Sequence, residues 1–242
     1  MILAAGRGER MLPLTAHTPK PLLQVGGKTL LQYHLERLVA AGVRDIVINI
    51  AYLGEQIRDY FGCQFVSDDS VATIHYSIES EPLETAGAIL HALPLLGDES
   101  FLLVNGDIWT DYPFGLLLKK ELQNMSGHLV LVSNPSHNTD GDFSIVNGML
   151  VEKITSPLTF SGISLLSPAL IRNYAKLRKI FPLSEVFHDA IKQQQLSAEF
   201  FSGQWWDIGT VERLKQLDER LNLKTAVESR KSAQVLDAPR KV

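Results

Sequence analysis

One cysteine in 242 residues, Cys63, excludes an internal disulfide and any cysteine-built metal cluster. The residue reads as packing and not as a nucleophile. No apolar run approaches the length needed to span a bilayer, and the opening "MILAAG" is too short for the core of a secretion signal. No membrane partner is expected, and the cytoplasm is the default compartment. A basic excess is missing as well: 23 Lys and Arg stand against 27 Asp and Glu, for a net charge of −4. That balance argues against nucleic acid as a partner, although it leaves room for a local basic cleft. The seven histidines show no zinc-like spacing. There is no internal repeat and no linker that would divide the chain.

What is present is an ordinary globular composition, 45% hydrophobic and 21% charged, in a chain long enough to bury a substantial core. Residues 1–5 read as a short buried strand. "TLLQYHLERLVAAGV" then sets Leu30, Leu31, Leu35, Leu38 and Val39 on one helical face. Thr29 and Gln32 have capping-box spacing, and Gly42 suits the helix end. "DIVINI" is a strand, "LGEQIRDYF" a helix, "ATIHYSIE" a strand, and "ETAGAILHAL" a helix expected to stop at Pro94. "FLLVNGD" is again a continuous apolar strand. Short buried strands alternating with helices predict an α/β fold, with a central mixed, mostly parallel sheet covered by helices. The second half is richer in strands: "HLVLVS", "FSIV", "LVEKI" and "LTFSGISLL". Helices are expected near 184–195 and 210–222. These elements make residues 1–222 one domain. Residues 223–242 lack apolar periodicity and read as a frayed helix or flexible tail.

The chemistry begins in "MILAAGRGERMLPLTAHTPKPL", where a strand breaks into glycine and charge. It is not a dinucleotide fingerprint, because no third glycine follows Gly8 at the right interval and Pro13 opposes a helix. Nor is "GGKT" at 26–29 a P-loop, since the first glycine of that motif would fall on Leu22. Glycines at 6 and 8 do let backbone N–H groups approach an anion closely, and Arg10 and Lys20 add positive charge. Two unit charges about 4 Å apart interact by about 4 kcal/mol at an effective dielectric of 20. One lysine is therefore too little for a triphosphate, and a metal is expected. Asp107 in "NGD" ends a buried strand, where open α/β sheets bind ligands. It reads either as a turn residue or as a carboxylate ligand of Mg²⁺. Asp207 in "WWDIGT" is its best partner, or else a helix cap with Thr210.

"LAAGRGERMLPLT", "PKPL", "NGD", "VEK", "FSGISLL" and "WWDIGT" together closely resemble the signature of the sugar-1-phosphate nucleotidyltransferases, over residues 1 to 222. The resemblance implies a single Rossmann-like nucleotidyltransferase domain that moves a nucleotidyl group from a nucleoside triphosphate to a sugar 1-phosphate. It further implies that Ala4, Ala5 and Gly6 line the base and ribose, with Gly8, Glu9 and Arg10 around the triphosphate. Lys20 would steady the reacting phosphates, and Asp107 with Asp207 would hold Mg²⁺. "EPLETAGAI" resembles the base-recognition segment and brings in Glu81 and Gly87. Glu152 would meet sugar hydroxyls, Lys153 the sugar phosphate and Gly162 the approach of the sugar. Asn105 and Asp142 join the same region. "EPLET", "LLVNGDIWTDY", "GDFSIV" and "LTFSGIS" look most like the branch that joins UTP to N-acetylmuramate 1-phosphate in cell-wall recycling. Glucose- and mannose-1-phosphate branches, using dTTP or GTP, share the machinery and stay open. So does an inactive nucleotide-sugar sensor or binding subunit, against which the complete set Arg10, Lys20, Asp107 and Asp207 argues. The oligomeric state stays open, and a monomer is compatible with the sequence.

Overall fold

In the computed structural model, which describes residues 1–236 and side chains as far as residue 223, a ten-stranded sheet carries the chain. Ile2–Leu3 lies between Asp45–Ile50 and Phe101–Asn105 and runs parallel to both. Ser70–Ile78 extends the parallel set beyond Asp45–Ile50. On the other side, Thr159–Leu166 inserts antiparallel between Phe101–Asn105 and Gly127–Val132. The sheet is thus parallel at its core and mixed towards its edges. Leu196–Phe201 runs parallel to Gly127–Val132 and carries the hairpin of Ser144–Val146 with Met149–Val151, and the antiparallel edge strand Gln64–Ser67 completes the sheet.

Continuous apolar strands are what a sheet buried on both faces requires. The alternation of strand side chains divides them between two cores: Ile46, Ile48 and Ile50 face one cluster while Val47 faces the other. The helices Leu30–Ala40 and Gly54–Phe61 cover the first face, and Glu84–Leu96 and Leu183–Lys192 the second. Half of the expected capping box forms. Gln32 N–H donates to Thr29 Oγ1 at 3.1 Å, but the Gln32 amide turns away to Glu36.

Several boundaries differ from the sequence reading: the first strand is only Ile2–Leu3, and the helix expected near 184–195 spans Leu183–Lys192. The helix expected to stop at Pro94 runs on to Leu96, because the proline sits in the last turn, where it forfeits one bond only. Gly97, at φ 76°, closes that turn by donating to Leu93 O. The strand in "LVEKI" ends at Val151, leaving Glu152 and Lys153 in the following turn. The last helix spans Val211–Leu236, so the backbone of 223–236 continues it, and residues 237–242 of the expected tail lie outside the described residues. Among the described residues no helix is long and apolar enough to cross a membrane.

A third, smaller cluster fixes the site. Met11, Leu23, Val25, Leu30, Trp109, Ile208, Leu214 and Leu217 pack together, joining the glycine loop to the start of the last helix. Met11 is wholly buried, so the loop before it is anchored at its far end and free to shape a cleft at its near end.

Candidate active site

A cleft of about 600 Å³ opens where the central parallel strands end. Its walls come from the first strand and the loop after it, from the ends of Asp45–Ile50, Ser70–Ile78 and Phe101–Asn105, and from the start of the helix at Glu84. This is where open α/β sheets place ligands. The loop turns at Gly8, φ 65°, into a single 3₁₀ turn over Glu9–Met11 closed by Met11 N–H donating to Gly8 O at 2.8 Å. Thr15 Oγ1 also donates to Gly8 O, at 2.8 Å, fixing the turn from below.

Gly106 brings the loop and the "NGD" carboxylate together. Its N–H donates to Leu3 O at 2.8 Å, and a Cβ there would lie 2.6 Å from that same carbonyl oxygen. Any larger residue would push the strand ends apart. Lys20, between Pro19 and Pro21, reaches across this junction and places Nζ 2.8 Å from Asp107 Oδ2. The lysine is 7% exposed, whereas the Asp107 side chain is 41% exposed. The cation is thus held rigidly at the cleft floor while the carboxylate still meets solvent.

Asp207 arrives by a separate route. Trp205–Asp207 pairs antiparallel with Ile108–Thr110, setting Asp207 opposite Ile108, and Ile208 N–H donates to Asp107 O at 2.9 Å. The two aspartates therefore sit on adjacent backbones. Asp207 Oδ2 accepts from Arg213 Nη1 at 2.7 Å and lies 2.9 Å from His137 Nε2. Asp207 is not in the wall of the cleft; the two aspartates share adjacent backbones, and each is paired with a side-chain cation, while carboxylate oxygens of this kind are the hard donors that Mg²⁺ takes. The described residues contain no group of three or more His, Cys, Asp or Glu able to hold a metal alone.

The cleft wall includes Ala4, Ala5, Gly6, Gly8, Glu9, Arg10, Lys20, Asn105 and Asp107 from the sequence-based set. Glu81 and Gly87 are not in that wall. Glu81 pairs with Lys179, and Gly87 packs against the Lys179 carbonyl beside a second, shallower cavity. Asp142 spends both carboxylate oxygens internally, accepting from Asn138 Nδ2 at 3.1 Å and from Phe160 N–H at 2.8 Å. Glu152 faces His188 Nδ1 at 2.8 Å, and Lys153 is exposed. Gly162 lies in the irregular register between Phe160 and Ile163, with φ 79°. A Cβ there would meet the Asn105 amide at 2.7 Å, so this glycine seats Asn105 in the cleft.

Sequence reasoning passed over Asn49, Glu79, His137 and Arg213. Asn49 is a polar residue inside the apolar "DIVINI", and Glu79 closes "ATIHYSIE" at the carboxyl end of its strand; both positions carried a signal. Both line the cleft, at 3% and 7% exposure. Asn49 Oδ1 accepts from Ala4 N–H at 2.7 Å, and Asn49 Nδ2 donates to Glu79 Oε1 at 2.6 Å. Burial holds the Glu79 carboxyl above the usual carboxylate range, against the opposing pull of the Asn49 amide. A folded-state pKa above the unfolded one means stability that is full below the unfolded pKa and lost as pH rises through the folded pKa. Glu79→Gln, which keeps an oxygen for Asn49, should therefore melt higher than the parent at neutral pH. The gap should close as the buffer is taken below the ordinary carboxylate pKa. Melting curves from pH 4 to 8 check this, and a constant gap would show that Glu79 ionisation carries no such penalty.

A parallel-cored α/β sheet that gathers a glycine loop, Lys20 and Asp107 at its strand ends is an architecture that nucleotide-binding enzymes use. The chain belongs to the nucleotidyl transferase family, whose model matches residues 1–147. It is 44% identical over 225 residues to the N-acetylmuramate alpha-1-phosphate uridylyltransferase of Neisseria meningitidis serogroup B, covering 89% of this chain and 95% of that protein. It is 31% identical over 230 residues to the mannose-1-phosphate guanyltransferase of Hypocrea jecorina, covering 86% of this chain but only 60% of that longer relative. The fold matches the UDP-glucose pyrophosphorylase of Acinetobacter baumanii with a TM-score of 0.79 at 17% identity, over 98% of both chains.

Proposed function

We propose that residues 1–222 form one catalytic domain that transfers uridylyl from UTP to N-acetylmuramic acid α-1-phosphate, giving UDP-N-acetylmuramic acid and pyrophosphate. The observation that carries the reaction class is the Lys20–Asp107 pair at the floor of the cleft, facing the glycine loop. The choice of base and sugar rests on the similarity to the Neisseria enzyme along nearly the whole chain. Joined to that enzyme's activity, the reading makes the protein a cytoplasmic step of peptidoglycan recycling.

An oxygen of the sugar phosphate attacks the α-phosphorus of UTP, and the bond to the β-phosphate oxygen breaks, releasing pyrophosphate. The nucleophile is already anionic near neutral pH, so no side chain is needed as a general base. The chain contributes position and charge. Lys20 Nζ, immobilised by Asp107 and two prolines, stabilises charge on the α-phosphoryl oxygens. Arg10 and the loop N–H groups take the leaving phosphates. Asp107 and Asp207 would hold Mg²⁺, which when bound neutralises phosphate charge. Asn105, seated by Gly162, orients the sugar phosphate at the other side of the reacting centre. Glu152 and Lys153 lie outside the wall of the cleft, and they belong to the sugar end in this reading.

An N-acetylmuramyl sugar carries a lactyl carboxylate, so its pocket must not present an uncompensated negative charge. Asp142 and Glu152, the two carboxylates assigned to the sugar region, are each already partnered, by amide N–H groups and by His188. That favours the acidic sugar. Specificity constants for four nucleoside triphosphates against a panel of sugar 1-phosphates test the reading. UTP with N-acetylmuramic acid 1-phosphate should lead, N-acetylglucosamine 1-phosphate should be weak and glucose 1-phosphate poor. A preference for mannose 1-phosphate with GTP, or glucose 1-phosphate with dTTP, would overturn the substrate and leave the reaction class standing.

A further inference from the structure

Arg213 sits three residues into the last helix turn sequence after Thr210, whose Oγ1 accepts from its N–H at 3.3 Å. The two ends of its guanidinium do different things. Nη1 donates to Asp207 Oδ2 at 2.7 Å and lies 3.0 Å from His137 Nδ1. Nη2 packs directly on Gly209, a residue of the cleft wall, where a Cβ would collide with it. Arg10 Nη2 lies 3.2 Å from that same point. Two guanidinium groups therefore abut one glycine at the edge of the cleft. The nearby carboxylate, Asp207, is spent on Arg213, and among the described residues Arg10 makes no ion pair. Like charges this close are a standing invitation to a polyanion.

We propose that Arg213 exchanges partners during the reaction cycle: it balances Asp207 in the free enzyme and moves to the β- and γ-phosphates, beside Arg10, when a divalent cation takes the carboxylate. The inference rests on the assignment of Asp107 and Asp207 as the metal site. Arg213 and a divalent cation would share the Asp207 carboxylate, whose Oδ2 already meets both Arg213 Nη1 and His137 Nε2, so a cation bound there weakens its hold on the guanidinium. Its other end already borders the cleft, against Gly209 and on the side where Arg10 stands. Arg213 thus weakens metal binding before nucleotide arrives and rewards it afterwards. By linkage, metal and triphosphate then bind cooperatively, each tightening the other by the same factor.

Mn²⁺ affinity, read by electron paramagnetic resonance with and without α,β-methylene-UTP, tests this. In the parent the analogue should tighten Mn²⁺ strongly. Arg213→Gln should bind Mn²⁺ alone more tightly than the parent, by about threefold or more, and the analogue should then add markedly less. Arg213→Lys, which keeps a cation and guards against loss of folding, should fall between the two. Unchanged or weaker Mn²⁺ binding in Arg213→Gln, or undiminished coupling to the analogue, overturns the exchange. Asp207→Asn separates this from the metal assignment. It should lose Mn²⁺ affinity with and without the analogue, and if it does not, the assignment of Asp207 falls and the exchange with it.

Discussion

Asp107→Asn and Asp207→Asn should each lower turnover by about a hundredfold or more, the scale lost when one preorganised charge-stabilising group is removed from a transition state. Each substitution removes a negative charge from a hard-oxygen donor pair, and Mg²⁺ binds such sites through few protein ligands, so either loss is severe. The fold should survive. The Asp107 side chain is 41% exposed, and asparagine keeps an oxygen within reach of buried Lys20. Asp207→Asn likewise keeps an acceptor for Arg213 and His137. Turnover measured against Mg²⁺ concentration, with thermal melting alongside, gives the answer. Near-normal turnover at limiting metal in either variant would remove that aspartate from the metal site.

Lys20→Ala should reduce kcat and kcat/KM together, by about 10²–10³, while leaving the KM for UTP within a small factor. The lysine is only 7% exposed, and its ammonium is fixed by Asp107 at 2.8 Å. An ion held this firmly costs no reorganisation when charge develops on the α-phosphoryl oxygens, so its value lies in the transition state. Alanine leaves behind the half-exposed partner, Asp107, which water can satisfy, so the loss of stability should be modest. Steady-state kinetics separate the outcomes: a raised KM at unchanged kcat would make Lys20 a ground-state binding residue only.

The gathering of the glycine loop, Lys20 and Asp107 in one cleft was legible because it is built from local sequence. "LAAGRGER", "PKP" and "NGD" each place their residues through short-range turns, and the sheet then needs only to align three strand ends. The parallel core was legible for a related reason: strands buried on both faces read as unbroken apolar runs. The mixed half was less so: "FSIV" and "LVEKI" form a tight local hairpin, but that hairpin and "LTFSGISLL" join the sheet through long connections whose direction no local pattern records.

Glu81 lies outside the wall of the cleft, and Glu79, two residues earlier, lines it. Glu81 looked eligible by resemblance, but strand geometry brings Glu79 to the cleft, at the end of Ser70–Ile78, and turns Glu81 towards Lys179. Arg213 and His137 lie 6 and 70 residues from Asp207 in sequence and meet it only in the folded chain. Tertiary contacts of that kind leave no periodicity to find. The Asn105–Gly162 contact is similar: each residue is visible alone, while the reason for the glycine appears only where the two strands pair.

The central claim is that uridylyl passes directly to a sugar phosphate. Phosphorus-31 NMR of UTP, N-acetylmuramic acid α-1-phosphate and Mg²⁺ with catalytic enzyme tests it in a single tube. The expected result is loss of the sugar monophosphate signal, with matched growth of a nucleotide-sugar diphosphate and of pyrophosphate, all abolished by a chelator. Pyrophosphate appearing with UMP while the sugar phosphate stays intact, or no reaction at all under conditions where the folded enzyme persists, would contradict it.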